Sequence, residues 1–123
     1  MNRNVLIAED DTQLRIALRH IMQREGHTVT EAVNGTDTLK KVSEHTFDLI
    51  LVDIIMPDRE GIETILEIRR KHPKLPIIAM SGGARYDAFD PLQLAQDCGA
   101  NFIIAKPFQP VELREIVKKC WPE

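Results

Sequence analysis

Apolar residues recur along this chain with two different periods. Short runs stand at Val5–Ala8, Thr28–Ala32, Leu49–Val52, Ile77–Met80 and Phe102–Ala105, and their length and β-branched content predict strands. Longer stretches with helical spacing lie between them. Leu14, Leu18, Ile21 and Met22 fall at i, i+4, i+7 and i+8, one face of a helix that Gly26 can stop. Leu39 and Val42 anchor a weaker helix after Asn34-Gly35, and Ile62, Ile65 and Leu66 line a third that ends before Pro73. A fourth is expected to begin near Pro91, because proline suits the first helical turn. Leu113, Ile116, Val117 and Cys120 mark the last, at i, i+3, i+4 and i+7.

Strands alternating with helices in a (βα)₅ pattern predict an α/β fold, a five-stranded parallel sheet covered by helices on both faces. Leu49–Val52 and Ile77–Met80 are nearly continuous apolar runs, as strands buried on both sides should be. No repeat, low-complexity tract or linker divides the chain, so residues 1–123 are expected to form a single domain. With 43% apolar and 28% charged residues, composition argues against disorder. A net charge of −3 offers no field to recruit nucleic acid or an anionic membrane. The densest basic group, Arg69-Arg70-Lys71, sits at a predicted helix C-terminus and reads as complementing the helix dipole. There is no apolar run of membrane-spanning length, and because Met1-Asn2-Arg3-Asn4 leads straight into a strand-like run no secretory leader is expected. Cys98 and Cys120 lack Cys-x-x-Cys spacing, which suits a reducing cytoplasm, and His20, His27, His45 and His72 form no ligand pair at helical spacing.

In an open parallel sheet, ligands bind beyond the carboxyl ends of the strands. The first strand runs into Glu9-Asp10-Asp11, the third into Asp53, the fourth into Ser81 and the fifth into Lys106-Pro107. Each has an ordinary explanation. Asp11 is suited to cap the first helix, a lone Asp or Ser at a strand end is common turn chemistry, and Lys-Pro is a frequent turn dipeptide. Four such groups on one rim are much harder to explain by turns alone.

Taken together, these residues resemble the response regulator receiver domains of two-component signalling (CheY-like), from Val5 to Val117. The resemblance rests on Val5-Leu6-Ile7-Ala8-Glu9-Asp10, on Asp53-Ile54-Ile55-Met56-Pro57-Asp58-Arg59-Glu60-Gly61, on Ser81 and on Lys106-Pro107-Phe108. It implies a doubly wound, flavodoxin-like strand order 2-1-3-4-5. It implies Asp53 as phosphoryl acceptor, Ser81 as the hydroxyl that follows the phosphoryl group, and Lys106 as the ammonium that neutralises it. Mg²⁺, a hard cation that prefers oxygen and keeps several waters, is the implied cofactor. Its ligands would be Asp10, Asp53 and the Ile55 backbone carbonyl, with Glu9 acting through water. The Lys106-Pro107 bond is implied to be cis. Implied partners are a sensor histidine kinase or phosphotransfer protein and a downstream effector, with no direct nucleic-acid or membrane contact. The effector would read the surface of the fourth helix, fifth strand and fifth helix. Such a chain is a signalling switch rather than a metabolic enzyme, assisting only its own phosphorylation and slow dephosphorylation.

The sequence departs from that pattern in two places. Three residues before Lys106, where the family commonly carries an aromatic ring, stands Ile103; the neighbouring Phe102 must point to the opposite sheet face and reads as a core residue. After Ser81, Gly82-Gly83 replaces the usual alanine and the segment to Gly99 is longer than in compact relatives, so it is expected to form the partner-specific surface. Two other classes compete. A haloacid-dehalogenase-like phosphatase also uses an Asp nucleophile, but needs a general acid two residues later, where this chain has Ile55. A phosphate-independent scaffold finds no support beyond Ile103. The sequence fits a stand-alone regulator and a domain of a longer protein equally.

Overall fold

Strand β1 (Asn4–Ala8) leads through helix α1 (Thr12–Arg24) to β2 (Thr28–Ala32), and α2 (Gly35–Glu44) leads to β3 (Leu49–Asp53). Helix α3 (Gly61–Lys71), β4 (Ile77–Ser81), β5 (Phe102–Ala105) and the C-terminal helix α4 (Pro110–Cys120) follow. The computed structural model describes residues 2–54, 61–81 and 95–121. Three helical residues, 95–97, precede β5. The Ile55 carbonyl, the Gly82-Gly83 loop and the helix start near Pro91 lie outside the described residues.

The strands run parallel in the order β2-β1-β3-β4-β5, as the resemblance implies. Side-chain alternation along the strands sorts the core into two layers. Leu6, Ala8, Ile50, Val52, Ile77 and Ala79 face Val42 of α2 and Ile65 and Ile68 of α3. Val5, Ile7, Leu49, Leu51, Ile78 and Met80 face Leu18 and Met22 of α1 and Leu113 and Val117 of α4. Every residue of β3 and β4 is buried, the signature of strands covered on both faces. Ile103 joins the α2–α3 layer and Phe102 the α1–α4 layer, so the two adjacent residues do point to opposite faces.

Helix ends follow local chemistry. Asp11 caps α1, accepting the amides of Gln13 (3.0 Å) and Leu14 (3.3 Å), and Asn34 caps α2 through the amide of Asp37 (2.7 Å). Gly26 closes α1 at φ +93°, a left-handed conformation that glycine adopts freely. One expectation needs correction. Leu66 does not line the buried face of α3 but is 49% exposed. The inward stripe is Gly61, Thr64, Ile65 and Ile68, spaced i, i+3, i+4 and i+7, and position i+5 falls off it.

Two substitutions separate these positions. Leu18→Ala, at a fully buried site, is expected to cost about 2–5 kcal/mol by emptying packed volume, whereas Leu66→Ala should change stability by less than about 0.5 kcal/mol. Urea midpoints at constant slope measure both; equal losses would contradict the layering described.

Candidate functional site

Parallel strands buried on both faces leave polar side chains few places except the strand ends. Here the ends are brought level by register: Ala8 pairs with Ala32 and Val52, Asp53 with Met80, and Ser81 with Ala105. The main chain continues the ladder past the strands. The Glu9 amide donates to the Ala32 carbonyl (3.1 Å), the Ile54 amide to Met80 (3.0 Å) and the Lys106 amide to Ser81 (2.9 Å). Glu9, Asp53, Ser81 and Lys106 therefore meet on one rim.

The Lys106 ammonium lies between two carboxylates, 2.8 Å from Glu9 Oε1 and 2.7 Å from Asp53 Oδ2. Glu9 is 1% exposed, Asp53 6% and Ser81 2%. The second Glu9 oxygen, Oε2, accepts the Asp11 amide at 3.1 Å. Asp10, by contrast, is exposed. One carboxylate oxygen from each of Glu9, Asp10 and Asp53 lies within 4.8 Å of the others. The Lys106–Pro107 bond is cis. Of the residues named from the sequence, all but Ile55, which lies outside the described residues, fall at this rim.

Burial, and then the neighbouring Asp53 charge, push the Glu9 carboxyl up to about 7 against the opposing pull of Lys106. Burial works to lower the Lys106 pKa, but its bonds to Asp53 and Glu9 outweigh that and raise it. The donor set suits a magnesium ion. It is all oxygen, compact enough for one ion, and open to water on the Asp10 side.

Two supports were not assigned from the sequence. Gly61 opens α3 against the end of β3; its amide donates to the Ile54 carbonyl at 2.9 Å, and a Cβ there would meet the Ile54 main chain and stand 2.5 Å from the Asp53 carbonyl oxygen. Arg15, from α1, donates Nη1 to the Glu9 carbonyl at 2.9 Å and Nε to Glu31 at 2.8 Å. A cleft of about 580 Å³ lies beside the rim, lined by Asp11, Gln13, Leu14, Lys106, Pro107 and Phe108. A larger one, about 770 Å³, opens at the amino ends of the strands between Arg3, Asp48, Pro76 and Trp121, away from this chemistry.

Comparison with known proteins gives a consistent picture. Residues 5–118 match the family model described as the response regulator receiver domain. The chain is similar to the sporulation initiation phosphotransferase F of Bacillus subtilis, 33% identical over 99% of this chain and 96% of that protein. It is 31% identical over 96% of its length to the Bacillus subtilis alkaline phosphatase synthesis transcriptional regulatory protein PhoP, of which it spans only 48%. The solved structure of response regulator TrrA from Thermotoga maritima, in complex with Mg²⁺-BeF, superposes with a TM-score of 0.83 at 31% identity, covering 96% of this chain and 98% of that one. No helix among the described residues is long and apolar enough to cross a membrane.

Gly61→Ala is expected to push the Asp53–Ile54 main chain and cost about 1–3 kcal/mol, the usual penalty of overpacking, read as a lower urea midpoint; an unchanged midpoint would mean the close approach is not enforced. The raised Glu9 pKa predicts a pH dependence with a definite sign. The folded state keeps a proton that the unfolded chain gives up at 4.5, so this contribution is complete below pH 4.5 and disappears as pH rises through about 7. Melting temperature in EDTA should therefore fall across that window, and Glu9→Gln should flatten the fall.

Proposed function

The chain belongs to the response regulator receiver domain family, and on that premise we propose that it is a phosphorylation-dependent signalling switch with Asp53 as acceptor. The observation that carries this reading is the Lys106 ammonium 2.7 Å from Asp53 on a rim shared with Glu9 and Asp10. In the proposed step, an Asp53 carboxylate oxygen bonds to the phosphorus of a phosphohistidine or small acyl phosphate. The donor's bond to phosphorus breaks, and the leaving nitrogen or oxygen keeps the electron pair. The product is an acyl phosphate on Asp53.

An anionic acceptor repels an anionic donor, so cationic support is needed. Bound Mg²⁺ would supply positive charge at the reacting oxygens. Asp10 and Asp53 are its proposed direct carboxylate ligands, together with the Ile55 carbonyl. Glu9 fits a role through water, because both of its oxygens are already engaged, by Lys106 and by the Asp11 amide. Lys106, bound to carboxylates before the reaction, would transfer one contact to a phosphoryl oxygen, and the Ser81 hydroxyl would donate to another. The new group adds roughly −1.5 to −2 charges, which draws both residues inward. Because the Lys106 amide bonds to the Ser81 carbonyl, the β4 and β5 ends would respond together. That couples the rim to the proposed output surface of the fourth predicted helix, β5 and α4. Ile103 brings no ring to this change, so the pull on Ser81 and Lys106 has to carry it.

On this reading residues 1–123 act as one receiver unit in the cytoplasm. A histidine kinase or phosphotransfer protein supplies the phosphoryl group, and an effector protein reads the altered surface. A hydrolase is disfavoured by Ile55, which offers no general acid two residues beyond the acceptor.

Intact-mass spectrometry after incubation with Mg²⁺ and acetyl phosphate should find one phosphoryl adduct. Asp53→Asn and EDTA should each abolish it. An adduct of equal yield on Asp53→Asn would place the acceptor elsewhere and end this reading.

A further inference from the structure

The Glu9–Asp10 pair must be held in one orientation for its carboxylates to converge on Asp53, and the Glu9 main chain is tied at both of its polar groups. Its amide donates to the Ala32 carbonyl at 3.1 Å. Its carbonyl accepts the Arg15 guanidinium at 2.9 Å. That carbonyl belongs to the peptide joining Glu9 to Asp10, so whatever fixes it fixes the plane from which the exposed Asp10 carboxylate projects.

The guanidinium is itself fixed. Arg15 is 13% exposed, and its Nε donates to Glu31 Oε1 at 2.8 Å; the other Glu31 oxygen accepts Arg19 Nη1 at 2.7 Å. Glu31 lies on β2 opposite Ile7 and immediately precedes Ala32, the residue that accepts the Glu9 amide. Burial opposes ionisation of Glu31, but the two arginines outweigh it and lower its pKa, so the carboxylate stays charged and able to anchor both. A planar guanidinium can serve a carbonyl and a carboxylate at once, and an ammonium has no equivalent fork.

We propose that Arg15 is a positioning residue for the metal-binding acidic pair, with Glu31 as its anchor. The inference rests on the reading of this rim as a Mg²⁺-assisted phosphoacceptor site. Charge and geometry make opposite demands here. As a cation near a cation site, Arg15 disfavours Mg²⁺ by simple repulsion, and deleting it on those grounds would tighten binding. As the group that orients the Glu9–Asp10 peptide, it favours Mg²⁺, and deleting it would weaken binding. Outer partners of metal ligands commonly contribute about 10–100-fold in affinity.

The test is isothermal titration of the whole chain with Mg²⁺ at constant ionic strength, on variants whose folding is checked by circular dichroism. Arg15→Ala should weaken binding about 10-fold. Glu31→Gln should weaken it less, about 3-fold, since the fork keeps its bond to the Glu9 carbonyl but loses its charged anchor. Arg15→Lys should recover only part of the Arg15→Ala loss. Arg19→Ala, which touches Glu31 but not Glu9, should stay within about 2-fold of the parent chain and serves as control. Affinity unchanged or tightened in Arg15→Ala would overturn the proposal. So would full recovery in Arg15→Lys, which would mean that charge alone suffices. If Arg15→Ala does not fold, Glu31→Gln and Arg15→Lys decide, and parent-like affinity in both overturns it. Loss of the Asp53 adduct in the parent chain would sink the phosphoacceptor reading separately, because the Mg²⁺ titrations need no phosphodonor.

Discussion

The rim depends on one ammonium group. Glu9 and Asp53 are almost wholly removed from water, and buried carboxylates that face each other without compensation either protonate or destabilise the fold. Lys106 meets both at hydrogen-bond distance. It comes from 97 residues beyond Glu9 and 53 beyond Asp53, so no local segment can form this contact. Only after β1, β3, β4 and β5 have taken their places in the sheet is the charge balance complete. The tertiary fold is therefore a precondition for an acidic site, and the site in turn penalises any register that would withdraw Lys106. A one-residue slip of β5 would turn its side chains to the other face and carry the ammonium away with them.

Sheet burial explains why the chemistry gathers where it does. β3 and β4 have no solvent-facing side, so Asp53 and Ser81 can be polar only as the last residues of their strands, where the main-chain ladder ends. Gly61 completes the same corner by letting α3 begin against the β3 terminus, in space that a side chain would have to share with Asp53 and Ile54. The geometry at Asp53 is thus set partly by a residue that carries no functional group.

Much of this was readable from the amino-acid order because it depends on short-range patterns. Apolar runs of four or five residues located the strands to within one position, and looking only at strand ends isolated Glu9, Asp10, Asp53, Ser81 and Lys106. Leu66 was misassigned because adjacent Ile65 and Leu66 are both apolar, and periodicity alone does not say which edge of a wide stripe meets the sheet; Thr64 and Gly61 take the inward places instead. Arg15 and Glu31 went unassigned for another reason. Arg15 and Arg19 look like an ordinary charged helix face, and their meaning comes from Glu31 on the neighbouring strand and from a main-chain oxygen of Glu9, which leaves no trace in residue identity. Contacts made by backbone atoms are the part of a site that sequence conceals best.

The acidic pair shows how neighbouring like charges can be given different work. Glu9 is buried, with its carboxylate engaged by Lys106 and the Asp11 amide and its peptide held by Ala32 and Arg15, so little freedom is left to it. Asp10, one residue on, reaches solvent. Under the proposed function this asymmetry is useful. A rigid inner carboxylate keeps Lys106 poised beside Asp53, while the outer carboxylate exchanges water for an incoming cation that Asp53 would also ligate. Equal exposure of the two would leave Lys106 held by Asp53 alone, and equal burial would raise the cost of assembling three acids before any cation arrives. Stepping the pair across the boundary between core and solvent avoids both.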